Sequence, residues 1–201
     1  MSAGTVFRRG AALVAALLFA ALAAGCAHPV SLNGNATSVV GMGKDKIDKK
    51  VGLAISDADR QREVTGPGGG GDKVRYFPYR DLETGLYIAM TEAFSEVVRV
   101  NGGADPKVKA ESLNYVVTPV LVTNSYSPSI VTWPPTVFTI ELTCKITDAE
   151  GKPVTEVKVQ GDGRAEFDEF KANHSLSASR ATDDLLKKLI AAIAAAAPKL
   201  R

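Results

Sequence analysis

Asp57 and Asp59 in Ser-Asp-Ala-Asp-Arg-Gln-Arg, and Glu166, Asp168 and Glu169 in Ala-Glu-Phe-Asp-Glu-Phe, are the residues whose type and spacing could do acid/base chemistry. A glycan-acting hydrolase would need two such carboxyls, one giving and one taking a proton. Arg60 and Arg62 flank the first pair, which favours solvated ion pairs over a proton-transfer dyad. His28 and His174 are far apart in the chain, and a metal site needs several clustered donors, so neither a metal nor a cofactor is expected. Cys144 sits on the apolar side of an alternating run, where a thiol behaves as a small buried hydrophobe and not as a nucleophile. The run Gly-Pro-Gly-Gly-Gly-Gly-Asp-Lys lacks the Gly-Lys-Ser/Thr of a phosphate loop and reads as a flexible turn. A different kind of site is offered by Tyr126, Ile130, Val131 and Trp133. They lie in a proline-punctuated connection too long for a tight turn, and aromatic side chains presented there suit contact with a partner. The same residues would also serve to fold back over the end of a sheet. No catalytic residue emerges, so a non-enzymatic role is expected.

The second feature with chemical consequences is Cys26. Arg8 and Arg9 precede an apolar run, Gly10 to Ala24, and small residues follow, the layout of a secretory signal peptide over residues 1–25. The run is shorter than the ~20 residues that span a bilayer. Leu22-Ala23-Ala24-Gly25-Cys26 resembles the lipobox of bacterial lipoproteins, with Leu22 one place further from the cysteine than is usual there. That resemblance implies acylation of Cys26, which becomes the mature N-terminus. Several acyl chains, at about 0.8 kcal/mol per buried CH₂, hold a protein stably on a membrane. Ala27 follows where inner-membrane lipoproteins carry Asp, which by resemblance implies the outer membrane, periplasmic face.

Of 201 residues, 45% are hydrophobic and 23% charged, enough for one core. Removing residues 1–25 takes two arginines and no acid from 24 basic and 22 acidic residues, leaving a formally neutral body. Nucleic acid is therefore not an expected partner. Cys144 alone remains after Cys26, so no internal disulfide is expected.

Positioning falls to a tether and a body. Residues 27–46 are rich in Gly, Ser and Asn and read as a flexible spacer; the body begins at Ile47. Val51, Leu53 and Ile55 alternate as a strand, and Val74 to Phe77 form a short one. Leu82, Leu86, Met90, Ala93 and Val97 make a helical stripe ending near Asn101. A strand covered on both faces runs from Leu113 to Val122. Phe138, Ile140, Leu142, Cys144 and Ile146, then Val157 to Phe167, alternate on either side of Asp-Ala-Glu-Gly-Lys-Pro as a hairpin. Ala178, Thr182, Leu185, Leu186, Leu189, Ile190 and Ile193 form a second helical stripe, ended by Pro198. The expected fold is α+β: a mostly antiparallel sheet of about five strands, order β-β-α-β-β-β-α, with two helices on one face.

The stretches Lys-Lys-Val-Gly-Leu-Ala-Ile-Ser-Asp-Ala-Asp-Arg-Gln-Arg-Glu-Val and Val74 to Val98, with Asp57, Arg60, Asp81 and Leu82, together resemble the YajG-type envelope lipoproteins. More loosely the chain is similar to auxiliary lipoproteins of envelope lipid-transport systems. The resemblance implies an outer-membrane-anchored periplasmic domain and brings no catalytic residues. The expected role is binding of another envelope protein as a transport or assembly accessory. The alternatives are lipid or lipopolysaccharide binding, and a glycan-acting hydrolase using Asp57, Asp59 or Glu166.

Overall fold

The structure, a computed structural model, describes residues 27–68, 73–128 and 136–200. Cys26, the signal segment and Ile130, Val131 and Trp133 lie outside the described residues. The strands are β1 (Ala27–Pro29), β2 (Ile47–Ala54), β3 (Val64–Pro67), β4 (Lys73–Tyr76), β5 (Phe94–Val100), β6 (Tyr115–Tyr126), β7 (Thr136–Asp148) and β8 (Pro153–Ala165). The helices are α1 (Asp57–Arg60), α2 (Pro78–Ala93), α3 (Lys107–Ala110), α4 (Phe167–Ala172) and α5 (Leu176–Ala196).

The hairpin and the last helix form as their patterns predict. β7 and β8 pair antiparallel from Thr136↔Ala165 to Thr147↔Pro153, and the turn closes at Gly151, whose φ of 86° favours a residue without Cβ. On α5 the stripe Ala178, Thr182, Leu185, Leu186, Leu189, Ile190 and Ile193 is buried throughout. Each buried Leu or Ile there contributes about 1.5–3 kcal/mol of apolar burial. Gly161 and Gly163 let the helix lie directly on β8: a Cβ at Gly161 would meet the Ala181 carbonyl, and one at Gly163 the Ser177 carbonyl.

The sheet is mixed, and this corrects the mostly antiparallel expectation. The order is β5-β2-β6-β7-β8; β2 runs parallel to both β5 and β6, and only β6-β7-β8 is antiparallel. The parallel pairs arise because α2 stops at Ala93, not past Val97. Phe94 takes φ −121° and ψ 157°, and the chain goes straight into β5. Val97, Val98 and Val100 are β-branched and pair as readily as they wind, so the helical spacing of Val97 was coincidental. Val97 still reaches the same core, 7% exposed. A second sheet, order β1-β4-β3, was also unexpected.

Both long helices cover one face of the main sheet, as expected, with Leu82, Leu86, Leu185, Ile140 and Leu142 in the shared core. The opposite face is covered at one end by α3, where Ala54, Val100, Val108, Leu113 and Val116 form a second cluster. Further along β6 that face is open: Val120 and Val122, expected to be covered, are 37% and 58% exposed. Phe167 opens α4 and does not extend β8.

Residues 27–46 are a strap and not a free spacer. Val30, Leu32 and Val39 are buried, and the segment is fastened to both long helices. Ser31 N–H donates to Ser175 Oγ at 3.0 Å, Thr182 Oγ1 donates to the Leu32 carbonyl at 2.7 Å, and Asn35 N–H donates to Asp183 Oδ1 at 2.6 Å. At its far end Gly41 and Gly43 donate their N–H groups to Glu92 Oε2 at 2.9 and 3.0 Å. Three buried aliphatic residues spaced through a small-residue stretch are the sequence signal for this docking.

Candidate functional site

The strap begins where the aromatic connection begins. His28 pairs with Val74, Val74 pairs with Gly66, and a Cβ on Gly66 would lie 3.8 Å from Ser125 Cβ. Strands are about 4.8 Å apart, so Ala27 and the end of β6 belong to one end of the molecule. The last described residue before the connection, Pro128, and the first after it, Thr136, sit there too. Tyr126 is 43% exposed on the open sheet face, opposite Val137. Beneath it the hydroxyls of Ser125 and Thr136 are buried without a hydrogen-bond partner among the described residues. Buried hydroxyls of that kind are uncommon in native folds, where each unsatisfied group costs about 1–3 kcal/mol.

The same end carries an aromatic cluster that sequence separation had hidden. His28 stacks on His174, ring centroids 4.2 Å apart and planes 9° apart, and Phe170 meets His174 edge-on at 4.9 Å. The two histidines read as isolated because 145 residues lie between them, a separation that only the strap bridges. Among the described residues no group of three or more His, Cys, Asp or Glu side chains is placed to hold a metal ion.

The carboxylates do not converge. Asp57 pairs with Arg60 at 2.9 Å and Asp59 with Arg62 at 2.6 Å, both on α1 beyond the end of β2. Glu166 caps α4 beyond the end of β8, its side chain on Arg164 at 3.0 Å. β2 and β8 are three strand spacings apart, about 14 Å before any offset along the strands. Proton transfer between these groups is therefore not available. Glu83 and Glu169 are committed to arginines as well. The Arg60 guanidinium, at 2.8 Å, holds Glu83 below the usual carboxylate range, with Arg99 adding to it. Arg180, hydrogen-bonded to both oxygens at 2.9 Å, and the Glu166 N–H draw Glu169 down to about 2. Cys144 is fully buried, and burial pushes its thiol up to about 12, far from a reactive thiolate.

No family model matches the chain, and no curated protein does. Among solved structures, a minor lipoprotein from Acinetobacter baumannii is similar over 76% of this chain and 95% of its own, with TM-score 0.49 and 15% identity. A Xanthomonas campestris protein of the DUF330 family is similar over 86% of this chain and 92% of its own, with TM-score 0.48 and 11% identity. Those descriptions belong to the two neighbours. Among the described residues no helix is long and apolar enough to cross a membrane.

The arrangement is thus a surface suited to contact. An open sheet face with Val120, Val122 and Tyr126 leads to the end where the strap, a histidine stack and both flanks of the aromatic connection meet.

Proposed function

We propose that the protein is a lipid-anchored envelope protein that works by binding, without catalysis, and that its partner meets it at the anchor-side end. Acylation of Cys26 at the outer membrane, facing the periplasm, is part of this proposal. The observation that carries it is the docking of the strap: Ala27 already pairs with Lys73, so an acylated Cys26 leaves no leash between bilayer and body. The end bearing Tyr126 and the flanks of the connection with Ile130, Val131 and Trp133 is then held close to the membrane surface. A partner that reaches it is itself in or on the membrane, which fits a transport or assembly accessory. The separation of Asp57 and Asp59 from Glu166 speaks against a hydrolase built on them.

A photoactivatable residue placed in the full chain at 126, 131 or 133 in living cells tests this. A defined adduct is expected from these positions and not from 152, in the hairpin turn at the opposite end of β8. Absence of any adduct at all three positions, or equal capture from position 152, would overturn the surface assignment.

A further inference from the structure

At the other end of the strap a slot of about 310 Å³ opens between the strap, the end of α2 and the last turns of α5. Its walls are Met42, Ile47, Ala93, Ile190, Ala194 and Ala197. The slot exists because α5 presents alanines where its earlier turns present leucines, and because the strap is held there by a specific device. Gly41, at φ 82°, and Gly43 turn their N–H groups onto the Glu92 carboxylate, and Gly43 lies so close to the Glu92 carbonyl that a Cβ would not fit. The one carboxylate in the wall, 8% exposed, is thereby occupied by the backbone.

The mouth has the opposite character. Lys44 and Lys187 stand at it, neither in an ion pair among the described residues, with Asp45 as the single exposed acid beside them. Val40 and Met42, 62% and 42% exposed, extend the apolar wall outward. An apolar slot at the lower limit of ligand-pocket sizes, about 300 Å³, with surplus positive charge at its rim, matches one alkyl chain with an anionic head.

We propose that this slot binds the single chain of an anionic amphiphile, the chain against Met42, Ile47, Ala93 and Ile190 and the head at the Lys44 and Lys187 rim. The site lies well away from the anchor: α5 runs from Ser175, beside the start of the strap, to Ala194, and 19 residues of helix are about 29 Å long. It is thus separate from the partner surface proposed above and does not rest on that reading. Fatty acids and lysophospholipids share the required chemistry.

The test uses the full-length protein in amphipol with diazirine-bearing dodecanoate, a diazirine-bearing lysophosphatidylglycerol and a diazirine-bearing dodecyltrimethylammonium as probes. Adducts mapped by mass spectrometry are expected at residues 42–47 and 190–197 with an anionic probe. Labelling by the cationic probe at equal concentration should be at least about 10-fold weaker, the effect of removing an attraction and adding a repulsion. Competition by unlabelled octanoate, decanoate and dodecanoate should strengthen about fourfold per added CH₂. Whichever anionic probe labels more strongly identifies the source, a free acid or a lysophospholipid. The exposed-site variant Ala194→Phe, which fills the slot, should abolish labelling at an unchanged melting temperature. Lys44→Glu with Lys187→Glu should reverse the charge preference. Equal labelling by the cationic probe, no dependence on chain length, or undiminished labelling of folded Ala194→Phe would each overturn the proposal.

Discussion

Glu169 shows how a single residue can link stability to pH without any catalytic role. Its carboxyl, ordinarily near 4.5, is held at about 2 in the folded chain by Arg180 and the Glu166 N–H. A carboxyl depressed on folding stabilises the folded state in full above its unfolded value and loses that contribution as pH falls through the folded one. The window is therefore about 4.5 down to 2. Urea midpoints measured across that interval should fall less steeply for Glu169→Gln than for the parent chain. Parallel curves would mean that the bidentate pair contributes nothing. The capping box joining Glu166 and Glu169 was visible in the spacing of Ala-Glu-Phe-Asp-Glu-Phe, but there it read as a carboxylate cluster. Its arginine partner lies 11 residues on, across a helix start, and no local pattern signals that pairing.

At the level of elements, the contact between α5 and β8 does two things. Gly161 and Gly163 allow backbone-close packing, so Gly161→Val must push α5 off the sheet. Overpacking against a backbone carbonyl that cannot swing aside costs about 1–3 kcal/mol or more, read as a lower denaturation midpoint with the fold retained. An unchanged midpoint would show that helix and strand are loosely fitted there. The same helix also closes half of the sheet's edge. Asp162 N–H donates to Asp184 Oδ2 at 3.0 Å, Lys188 Nζ donates to the Gln160 carbonyl at 2.9 Å, and Arg180 Nη1 donates to the Arg164 carbonyl at 2.6 Å. Residues 160, 162 and 164 turn their backbone groups away from β7 by the two-residue period, and unpaired edges invite association. The charges of α5, read from the sequence as a solvated face, thus protect a strand edge. Alternation and helical spacing made β7, β8 and α5 legible, because each buries a single face. β5 was not legible, because Val97 satisfies both periods and its partner strand is more than 40 residues away.

For the whole molecule, the strap decides the geometry. A free spacer would let the body range from the membrane; a docked one fixes which end faces it. The docking rests on Leu32, with no exposed surface, and on Val30 and Val39 around it. Leu32→Ala in the full chain should lower stability by about 2–5 kcal/mol and make residues 27–46 the first site of limited proteolysis. Cleavage in the strap as fast in the parent as in the variant would restore the picture of a leash. The two proposed surfaces lie at opposite ends of that strap, which is why one chain can hold a membrane-side partner and an amphiphile separately.

The sequence by itself determined the exported, cysteine-bearing start as a resemblance to be tested, the α+β class, the hairpin, the last helix and the lack of a catalytic constellation. Each of these is local: periodicity within a dozen residues reports which face a segment buries. Only the tertiary structure decided the parallel pairing of β2, the docking of residues 27–46, the His28 and His174 stack and the slot closed by Glu92. These are encounters between segments tens to more than a hundred residues apart. They are selected by burial and hydrogen bonding across the assembled core, and no local spacing encodes them.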